Sequence, residues 1–428
     1  MFEWSEEHQM IRQAVRDFVE KEIRPHREEL EHGDLAPYDL LRKLYKTFGM
    51  DAMAAASFDR RIAREEAGDA GASHSDPVKP SAGAASVPQD SASVSGAESE
   101  RDSSNGLTML PIIELCRCSP GMVTAMGVSV GLTSAAIMSK GTIAQKKRWA
   151  RDILTMEKIG AWAITEPNSG SDAFGSMQAT ARIDGDEFIL NGSKTLITNG
   201  PYADTIVFIC KLDEGNAPAD RRVVQFVLDS GMPGLEQSKP LRKMGMHSSP
   251  TGMLFLDDVR VGYDRLLGES LDAFSGKAGR EAGKATFTIE RTGVAAMALG
   301  MIERCIELCV PYAKERVQFG QPIGNFQLIQ LKLAKMEVAR LNVENLVFRT
   351  LEMSAAGKSL GLAEASAMKL YSAQAATEVA LEAVQLFGGN GYMAEYEVEQ
   401  IARDAKVLQI YAGTDEIQVT HIAKAMLA

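Results

Sequence analysis

The sequence predicts a mainly helical fold with a small β domain in its middle. Apolar residues recur at helical spacing near the start of the chain, and short strands with turn signals follow Gly160. Long helical segments then return from about Asp272 to the end. A chain of 428 residues is too long for one simple core, so we expect two or three structural units.

The first predicted domain, residues 1–157, is helical. Ser5 is suited to cap the first helix, with acidic residues in the turn that follows, and Pro25 marks an interruption. A second helix is predicted over Tyr38–Phe48, and helical patterning returns at Leu107–Cys118 and Met122–Ile137. The first helix is predicted from the apolar residues Trp4, Ile11, Val15, Phe18 and Ile23.

Between these helices, from about Asp59 to Gly106, the chain is rich in Ser, Ala, Gly and Asp. Such a segment buries too little apolar surface to offset the entropy lost on ordering. We therefore predict a mobile insert at about residues 59–106, with His74 as part of its coil. A functional insert, such as a lid or a partner-docking segment, is the alternative.

The second predicted domain, residues 158–268, consists of short strands. Asp184-Gly185 predicts a hairpin, and Asn191-Gly192 predicts a second turn. Several short strands with regular turn signals indicate a compact antiparallel barrel or sandwich. The predicted strands are AWAIT, ATARI, EFIL, TIVFIC, VVQFVL and MLFLDDV.

The third predicted domain, residues 269–428, is a helical bundle. Its interior positions are dominated by Leu, Ala, Val and Met, with little Gly or Pro to interrupt a helix. The long helices predicted here are Ala285–Tyr312, Gln327–Ala356 and Leu362–Leu386.

Charge limits the partners of this chain. The formal net charge is −11, so binding to nucleic acid or to an anionic membrane would need a local basic patch. A polyphosphate ligand is still compatible with this negative net charge, because a few convergent Arg, Lys and backbone N–H groups are enough to bind one.

Cysteine usage and the absence of targeting signals predict a cytoplasmic protein. The five cysteines form no regular framework, which indicates reduced thiols. Cys305 and Cys309 lie one helical turn apart without further ligand types nearby, so we expect core packing and no metal site. The start of the sequence lacks the features of a signal peptide, and we expect no transmembrane helix.

Five segments carry more than packing information. Their hydroxyl groups, basic residues and glycines are suited to a planar heterocycle or a phosphate, since glycine lets the backbone approach a ligand closely. Each segment taken alone could be an ordinary turn. They are Trp162–Asp172, Asn191–Gly200, Glu315–Pro322, Gln385–Gly391 and Arg403–Glu416.

In this order, the five segments resemble the acyl-CoA dehydrogenase family over the whole chain apart from the insert. The resemblance implies a helical N-terminal domain, a central β domain and a C-terminal four-helix bundle, with FAD bound between the last two. It also implies that Thr165 hydrogen-bonds the isoalloxazine, and that Ile197 and Thr198 pack on the flavin and donate to it. Contacts with the flavin or the CoA portion of the substrate are implied for Trp162, Ile164, Thr165, Gly170 and Ser171.

The resemblance further implies that the protein is a homo-oligomer, because part of the FAD site comes from a neighbouring subunit. The family is most often a dimer of dimers. A guanidinium such as that of Arg316 suits a pyrophosphate, since it offers a planar fork of donors. The implied neighbour contacts are Arg316, Phe319, Gln385 and Gly389, and the further implied cofactor contacts are Gln327, Thr414 and Glu416.

The family's usual catalytic base is absent from this chain. Removing the α-proton of a thioester needs a carboxylate base, a hydride acceptor and donors at the thioester oxygen. The commonest members carry the base as Glu in a Tyr-Glu-Gly-Thr run, where this chain has Tyr411-Ala412-Gly413-Thr414. Either the chain is catalytically dead or the base comes from elsewhere.

A Glu-Arg pair at Glu290-Arg291 favours a base from elsewhere. Isovaleryl-CoA and long-chain acyl-CoA dehydrogenases carry the base in such a pair and lack the other Glu, so the resemblance implies that Glu290 is the base. An apolar pocket should raise the pKa of Glu290. Asp415 and Glu416 are the rival bases, and His247 is interpreted as a loop residue.

The resemblance also assigns the rest of the reaction. Glu290 takes the α-proton, flavin N5 accepts the β-hydride, and the product is the trans-2-enoyl-CoA. The Ala412 backbone N–H, together with the flavin ribityl 2′-hydroxyl, donates to the thioester oxygen. The implied substrate contacts are Ser171, Thr288, Arg291, Tyr411 and Gly413.

Three further features bear on substrate and acceptor. Val123 and Gly127 stand where medium-chain relatives carry larger polar residues, which favours a long or branched acyl chain. The expected acceptor is an electron-transferring flavoprotein, and an oxygen-using acyl-CoA oxidase is the alternative. Leu196 stands where family members often have Trp, so the resemblance does not indicate how the flavin face is shielded from solvent. A nucleic-acid-associated member of the superfamily is disfavoured by the acidic charge.

Overall fold

The computed structural model describes residues 3–68, 109–274 and 278–428. Helices precede and follow a single large sheet, in the order that the sequence predicts. The N-terminal helices are α1 (Glu6–Phe18), α2 (Arg27–His32), α3 (Tyr38–Thr47), α4 (Met50–Glu66), α5 (residues 109–116), α6 (Pro120–Met126, Gly127–Thr133 and Ser134–Lys140 in succession) and α7 (Ile143–Gln145, Lys146–Ala150 and Arg151–Leu154 in succession).

Helix α1 begins as the sequence predicts. The Ser5 hydroxyl accepts a hydrogen bond from the His8 backbone N–H at 3.2 Å, which satisfies one of the free donors at the helix start. Helix α3 likewise ends within one residue of its predicted end. Near Pro25 the α-helix gives way to a π-helical turn and a 3₁₀ turn, Val19–Ile23 and Arg24–His26, so the predicted interruption is confirmed.

The predicted insert begins too early. Residues 59–66 are the second half of α4, because Phe58 and Ile62 lie one turn apart on one helix face and are both buried. They pack in one apolar cluster with Ile137 of α6 and Trp149 of α7. Residues 69–106 of the predicted insert, with His74, lie outside the described residues, as do the first two residues of the predicted helix at 107–118.

Helix α6 is long and strongly apolar. By length and composition it is the one helix among the described residues that could cross a membrane, and half of its most apolar window is buried inside the fold. The core helix of a globular protein meets the same criterion. Ser129 ties α6 to the sheet, since its hydroxyl accepts from the Gly160 backbone N–H at 2.8 Å.

The strands form one mixed sheet, so the expectation of a purely antiparallel unit is wrong. Strand β4 pairs in parallel with β1 over one half of its length and with β2 over the other, while its remaining edge is antiparallel to β5. The β2–β3 hairpin is confirmed, with Asp184 opposite Glu187 and Gly185 at φ +66°. The strands are β1 (Gly160–Ala163), β2 (Thr180–Asp184), β3 (Glu187–Thr198), β4 (Thr205–Asp213), β5 (Val223–Asp229), β6 (Leu235–Gln237) and β7 (Thr251–Gly262).

Asn191-Gly192 is not the predicted turn. It lies inside β3, where the pairing with β7 shifts register between Leu190 and Gly192. Gly192 has φ +144°, and a Cβ at this position would lie 2.7 Å from Ala179 Cβ. Glycine therefore serves a β-bulge and a close approach between neighbouring segments.

The C-terminal part is a bundle of long helices, as predicted. A short hairpin of two-residue strands, β8 (Val317–Gln318) with β9 (Gln321–Pro322), separates the first two helices of the bundle. Cys305 and Cys309 are buried in the bundle core, and the described residues contain no cluster of metal-ligand side chains. The helices are α8 (Ala278–Glu315), α9 (Gln327–Ala355), α10 (Leu362–Phe387), α11 (Glu397–Val407) and α12 (Asp415–Leu427).

Buried ion pairs join the N-terminal helices to this bundle. Glu114 of α5 has no exposed side-chain surface and accepts from Arg12 at 2.6 Å and from Arg16 at 2.8 Å. Arg12 also pairs with Glu303 of α8, as does Arg117. These contacts fix α1 and α5 against α8, the helix that carries Glu290. The domain limits at 157/158 and 268/269 stay a prediction.

Candidate active site

Glu290 lies on α8 and is only partly accessible to solvent. Burial raises the pKa of its carboxyl to about 7, because an apolar environment disfavours the charged form. The positive charges of Arg291 and Lys369 oppose this rise. A carboxyl group that titrates near neutral pH is suited to act as a general base.

Arg291 follows Glu290 and is buried within the bundle. Its Nη1 donates to Ser366 Oγ of α10 at 2.9 Å. Its Nη2 lies 3.6 Å from the position that a Cβ would take at Gly413, so the guanidinium sits against the 411–414 turn. Burial lowers the pKa of Arg291, which still remains charged. Thr288, two residues before Glu290 on α8, is half-buried.

The turn of residues 411–414 connects α11 to α12. Ala412 and Gly413 both have left-handed backbones, with φ +54° and φ +87°. This conformation is strained for alanine, and such strain is often found at functional sites. Within the described residues, no acceptor bonds the backbone N–H of Ala412 or Gly413. The turn can therefore offer these donors to a ligand.

Tyr411 places this turn beside α6. Its hydroxyl lies 3.3 Å from Met297 Sδ and is also within reach of Thr124 of α6. Burial raises the pKa of the Tyr411 phenol. Val123, next to Thr124, is buried, whereas a Cβ at Gly127 would meet nothing within 4 Å. Helix α6 thus leaves open space one turn away from the Tyr411 contact.

The ends of two strands bring together the predicted flavin contacts of the β domain. Thr165 lies just beyond β1, and its carbonyl accepts from the Thr195 backbone N–H of β3 at 2.9 Å. Trp162 and Ile164 are half-buried in the same segment. On β3, Thr198 is half-buried, and Ile197 is buried in the core of the sheet. Leu196 is 64% exposed with φ +56°. Gly170 and Ser171 are exposed, in the loop after Glu166.

Glu166 and Lys194 stabilise this arrangement, and sequence reasoning missed both. Lys194 has no exposed side-chain surface, and its ammonium donates to Glu166 Oε1 at 2.8 Å and to the Ile164 carbonyl at 3.0 Å. Glu166 also accepts from the backbone N–H groups of Gln178 and Ala179. Both residues lie inside the segments Trp162–Asp172 and Asn191–Gly200. The charged Lys194 in the middle of strand β3 is the feature of the sequence that could have indicated a buried ion pair.

The four residues assigned to a neighbouring subunit's cofactor and the further cofactor contact Gln327 lie apart from Glu290. All five are exposed, at the end of the bundle near the β8–β9 hairpin, and no described contact joins them to Glu290. An open groove of about 640 Å³ lies here, lined in part by Phe319, Ile323 and Leu386. The five residues are Arg316, Phe319, Gln327, Gln385 and Gly389.

The two rival bases are held by donors at the start of α12. Asp415 accepts from Lys369 at 3.3 Å and from Gln374 and Gln409 at 3.2 Å. Hydrogen bonds from the backbone and from Thr414 lower the pKa of Glu416, which is exposed. The lowered pKa of Glu416 makes it a weaker base, and the Asp415 carboxylate is already occupied by three donors, which favours Glu290.

His247 is packed as a loop residue. Its Nδ1 lies 2.6 Å from the Glu31 carbonyl oxygen and its Nε2 lies 2.8 Å from the Lys243 carbonyl oxygen. The ring joins α2 to the loop before β7.

The chain is similar to known proteins along its whole length. Family models match residues 5–74 (acyl-CoA dehydrogenase, N-terminal domain), 161–259 (middle domain) and 277–427 (C-terminal domain). An acyl-CoA dehydrogenase of Bacillus subtilis is 35% identical over 425 residues, covering 99% of this chain and 98% of that protein. The mitochondrial isovaleryl-CoA dehydrogenase of Pongo abelii is 35% identical over 321 residues, covering 75% and 74%. The solved structure of butyryl-CoA dehydrogenase from Megasphaera elsdenii covers all of both chains, with a TM-score of 0.80 and 31% identity.

Proposed function

The chain belongs to the acyl-CoA dehydrogenase family, and we propose that Glu290 is the base that removes the α-proton of its substrate. The protein is an FAD-dependent oxidoreductase that dehydrogenates an acyl-CoA thioester. The observation that carries the proposal is a carboxyl group with a pKa of about 7 near a turn that has Ala412, where the resemblance implies the usual base would be a Glu.

The residues of the β domain fit a flavin. Thr165 and Thr198 bring two hydroxyl groups to neighbouring strand ends, and a Cβ at Gly170 would meet no atom within 4 Å, so a ligand has room there. Hydroxyl donors and an open backbone are what a planar heterocycle with ring nitrogens and carbonyl oxygens needs. When bound, FAD supplies the acceptor for the hydride from the β-carbon.

The chain's own residues then have separate tasks. Glu290 in its ionised form accepts the α-proton. The Ala412 N–H donates to the thioester oxygen, where negative charge develops as the proton leaves. One such donor contributes on the order of a hundredfold or more to the rate. Arg291 and Tyr411 line the same turn, and their burial keeps water from the carboxyl group.

Open space on α6 supports a long or branched acyl chain. Val123 is buried on this helix, and nothing lies within 4 Å of a Cβ built at Gly127. The resemblance implies that the isovaleryl-CoA and long-chain types carry their base at the position of Glu290.

The exposed groove near Phe319 supports an oligomer in which one subunit completes the cofactor site of another. Phe319 is 94% exposed, and Leu328 and Val338 on α9 also expose large apolar side chains. An exposed apolar surface of this extent on a folded chain is typical of an interface. We propose a dimer of dimers.

A panel of acyl-CoAs added to the purified yellow protein tests the proposal. The panel contains butyryl-, isovaleryl-, octanoyl- and palmitoyl-CoA, and the rate at which each one bleaches the flavin absorbance is measured. We expect bleaching that is fastest with the branched or long chains and is lost in Glu290→Gln. Retained bleaching in Glu290→Gln would overturn the assignment of the base.

Turnover with three acceptors identifies the electron partner. We propose an electron-transferring flavoprotein, because the full-length relative from Bacillus subtilis is named a dehydrogenase. The enzyme should therefore turn over with that flavoprotein or with an artificial dye and only slowly with oxygen. Fast turnover with oxygen alone would assign an oxidase instead.

A further inference from the structure

Two fully buried side chains hold the turn of residues 411–414 from the bundle side. Lys369 of α10 donates from Nζ to the Gly413 carbonyl at 2.9 Å. Gln418 of α12 donates from Nε2 to the Ala412 carbonyl at 2.9 Å and to the Gly413 carbonyl at 2.7 Å. Neither side chain is exposed. Both carbonyls of the strained turn are therefore fixed by side chains from two different helices.

These two contacts determine where the backbone donors of the turn point. In a trans peptide the C=O and N–H groups lie on opposite sides, and no described peptide bond is cis. With the Ala412 carbonyl held toward Gln418, the Gly413 N–H faces away from the bundle. The same restraint limits rotation of the left-handed Ala412 residue and hence of its own N–H.

Lys369 also brings a positive charge close to Glu290. An ammonium with no exposed surface is costly to bury, and burial lowers the pKa of Lys369. Its ion pair with Asp415 at 3.3 Å offsets part of this cost. The charge of Lys369 acts on Glu290 and favours the ionised carboxylate.

The charged and titratable groups around Glu290 come from three elements and the turn. Arg291 lies on the same helix and Lys369 on α10, and both favour the carboxylate. Tyr411 in the turn is neutral. On α12, Asp415 is paired with Lys369, and burial together with the positive charge of Arg291 lowers the pKa of His421. Within this set, Lys369 is therefore the one group that donates a hydrogen bond to the turn of residues 411–414 and also favours the carboxylate form of Glu290.

We propose that Lys369 is a positioning residue for proton abstraction, holding the Ala412–Gly413 turn in place and favouring the carboxylate form of Glu290. Gln418 shares the first task but not the second, because its amide is uncharged. This inference rests on the proposed role of Glu290. A purely structural lysine would instead stabilise the bundle without changing the pH dependence of proton removal.

Exchange of the substrate α-protons tests the proposal separately from flavin chemistry. The holoenzyme is reduced with dithionite, so hydride transfer is blocked, and the acyl-CoA that bleaches the oxidised enzyme fastest is added in D₂O. Loss of its α-proton NMR signal is then followed as a function of pH. The variants are Lys369→Met, Lys369→Arg and Gln418→Leu. Lys146→Met is the matched control, because Lys146 is a buried lysine paired with Glu65 far from the bundle.

The three site variants should differ in a defined way. Lys369→Met should slow exchange at pH 7 about tenfold or more and move the pH midpoint upward by about half a unit to one unit, since a nearby positive charge is lost. Lys369→Arg should restore the midpoint. Gln418→Leu should slow exchange without moving the midpoint, and Lys146→Met should change neither.

Two outcomes would separate failure of this inference from failure of the proposed base. If Lys369→Met folds, binds FAD and keeps the wild-type midpoint and rate, Lys369 is only structural. If Lys369→Met does not fold, an unchanged midpoint in Lys369→Gln would lead to the same conclusion. If Glu290→Gln exchanges α-protons at the wild-type rate, the base itself is wrongly assigned.

Discussion

The Lys194 ammonium lies 2.8 Å from the Glu166 carboxylate, and both side chains are buried beneath the loop that follows β1. Lys194 stands on β3, and Glu166 stands two residues after the Ile164 carbonyl to which Lys194 also donates. The pair therefore joins the two segments that carry Thr165 and Thr198.

Removing one member of this pair should destabilise the β domain. Lys194→Met leaves the Glu166 carboxylate buried without its ion-pair partner, and we expect a loss of about 3–5 kcal/mol in the free energy of unfolding. Urea denaturation followed by fluorescence measures it. The double variant Glu166→Leu/Lys194→Met should recover part of the loss, because no single charge is left buried. A single variant as stable as the wild type would contradict this reading.

Moving the carboxylate should move the base. Glu290→Gln should lower turnover by about 10²–10⁴-fold, the usual contribution of a general base. Adding Ala412→Glu to that variant puts a carboxylate in the turn of residues 411–414, where the resemblance implies the usual base, and we expect partial recovery of turnover. Dye-coupled turnover at saturating substrate gives the rates. FAD absorbance is the control for folding, and no recovery would show that the site cannot accept a base from the turn.

Stability should depend on pH through Glu290. Its pKa of about 7 in the folded chain lies above its ordinary value, so the folded state holds a proton that the unfolded state has lost. The contribution is fully present at low pH and is lost as pH rises through 7. Relative to Glu290→Gln, the wild type should therefore lose stability between about pH 5 and pH 8. Urea midpoints across this range test it, and Asp404, whose pKa is also raised, is common to both proteins.

Turnover should rise over the same pH range. The proton-accepting form of Glu290 is the carboxylate, which becomes the major form only above about pH 7. The rate of flavin bleaching should therefore increase from pH 6 to pH 8. A rate that does not change with pH over this interval would show that another group accepts the proton.

Filling the space at Gly127 should change the chain-length preference. Gly127→Leu puts a large side chain where nothing lies within 4 Å of the Cβ, so long and branched acyl-CoAs should lose about tenfold in kcat/KM while butyryl-CoA loses less. Gly127→Ala is the matched control. It should keep the preference and gain up to about 1 kcal/mol of stability, since glycine is a poor helix former. Equal losses for all chain lengths would place Gly127 outside the acyl pocket.

Local patterns were sufficient for most of the fold. The Ser5 cap, the α3 helix and the β2–β3 hairpin depend on residues within a few positions of one another, and the structure contains all three. The predictions failed where residues distant in the sequence determine the local structure. Phe58 and Ile62 continue α4 because α6 and α7 cover them, and Gly192 is a bulge because Ala179 lies against it.

The sequence by itself determined the reaction class and the candidate base, because the five segments and the Glu290–Ala412 exchange are patterns of residue identity. Only the tertiary structure decided what surrounds Glu290. Lys369 is 44 residues from Gly413 and Gln418 is 6 residues from Ala412, yet both side chains reach the same turn. Which charges act on a buried carboxyl group depends on the helices that pack around it, since electrostatic interactions follow distance through space and not along the chain.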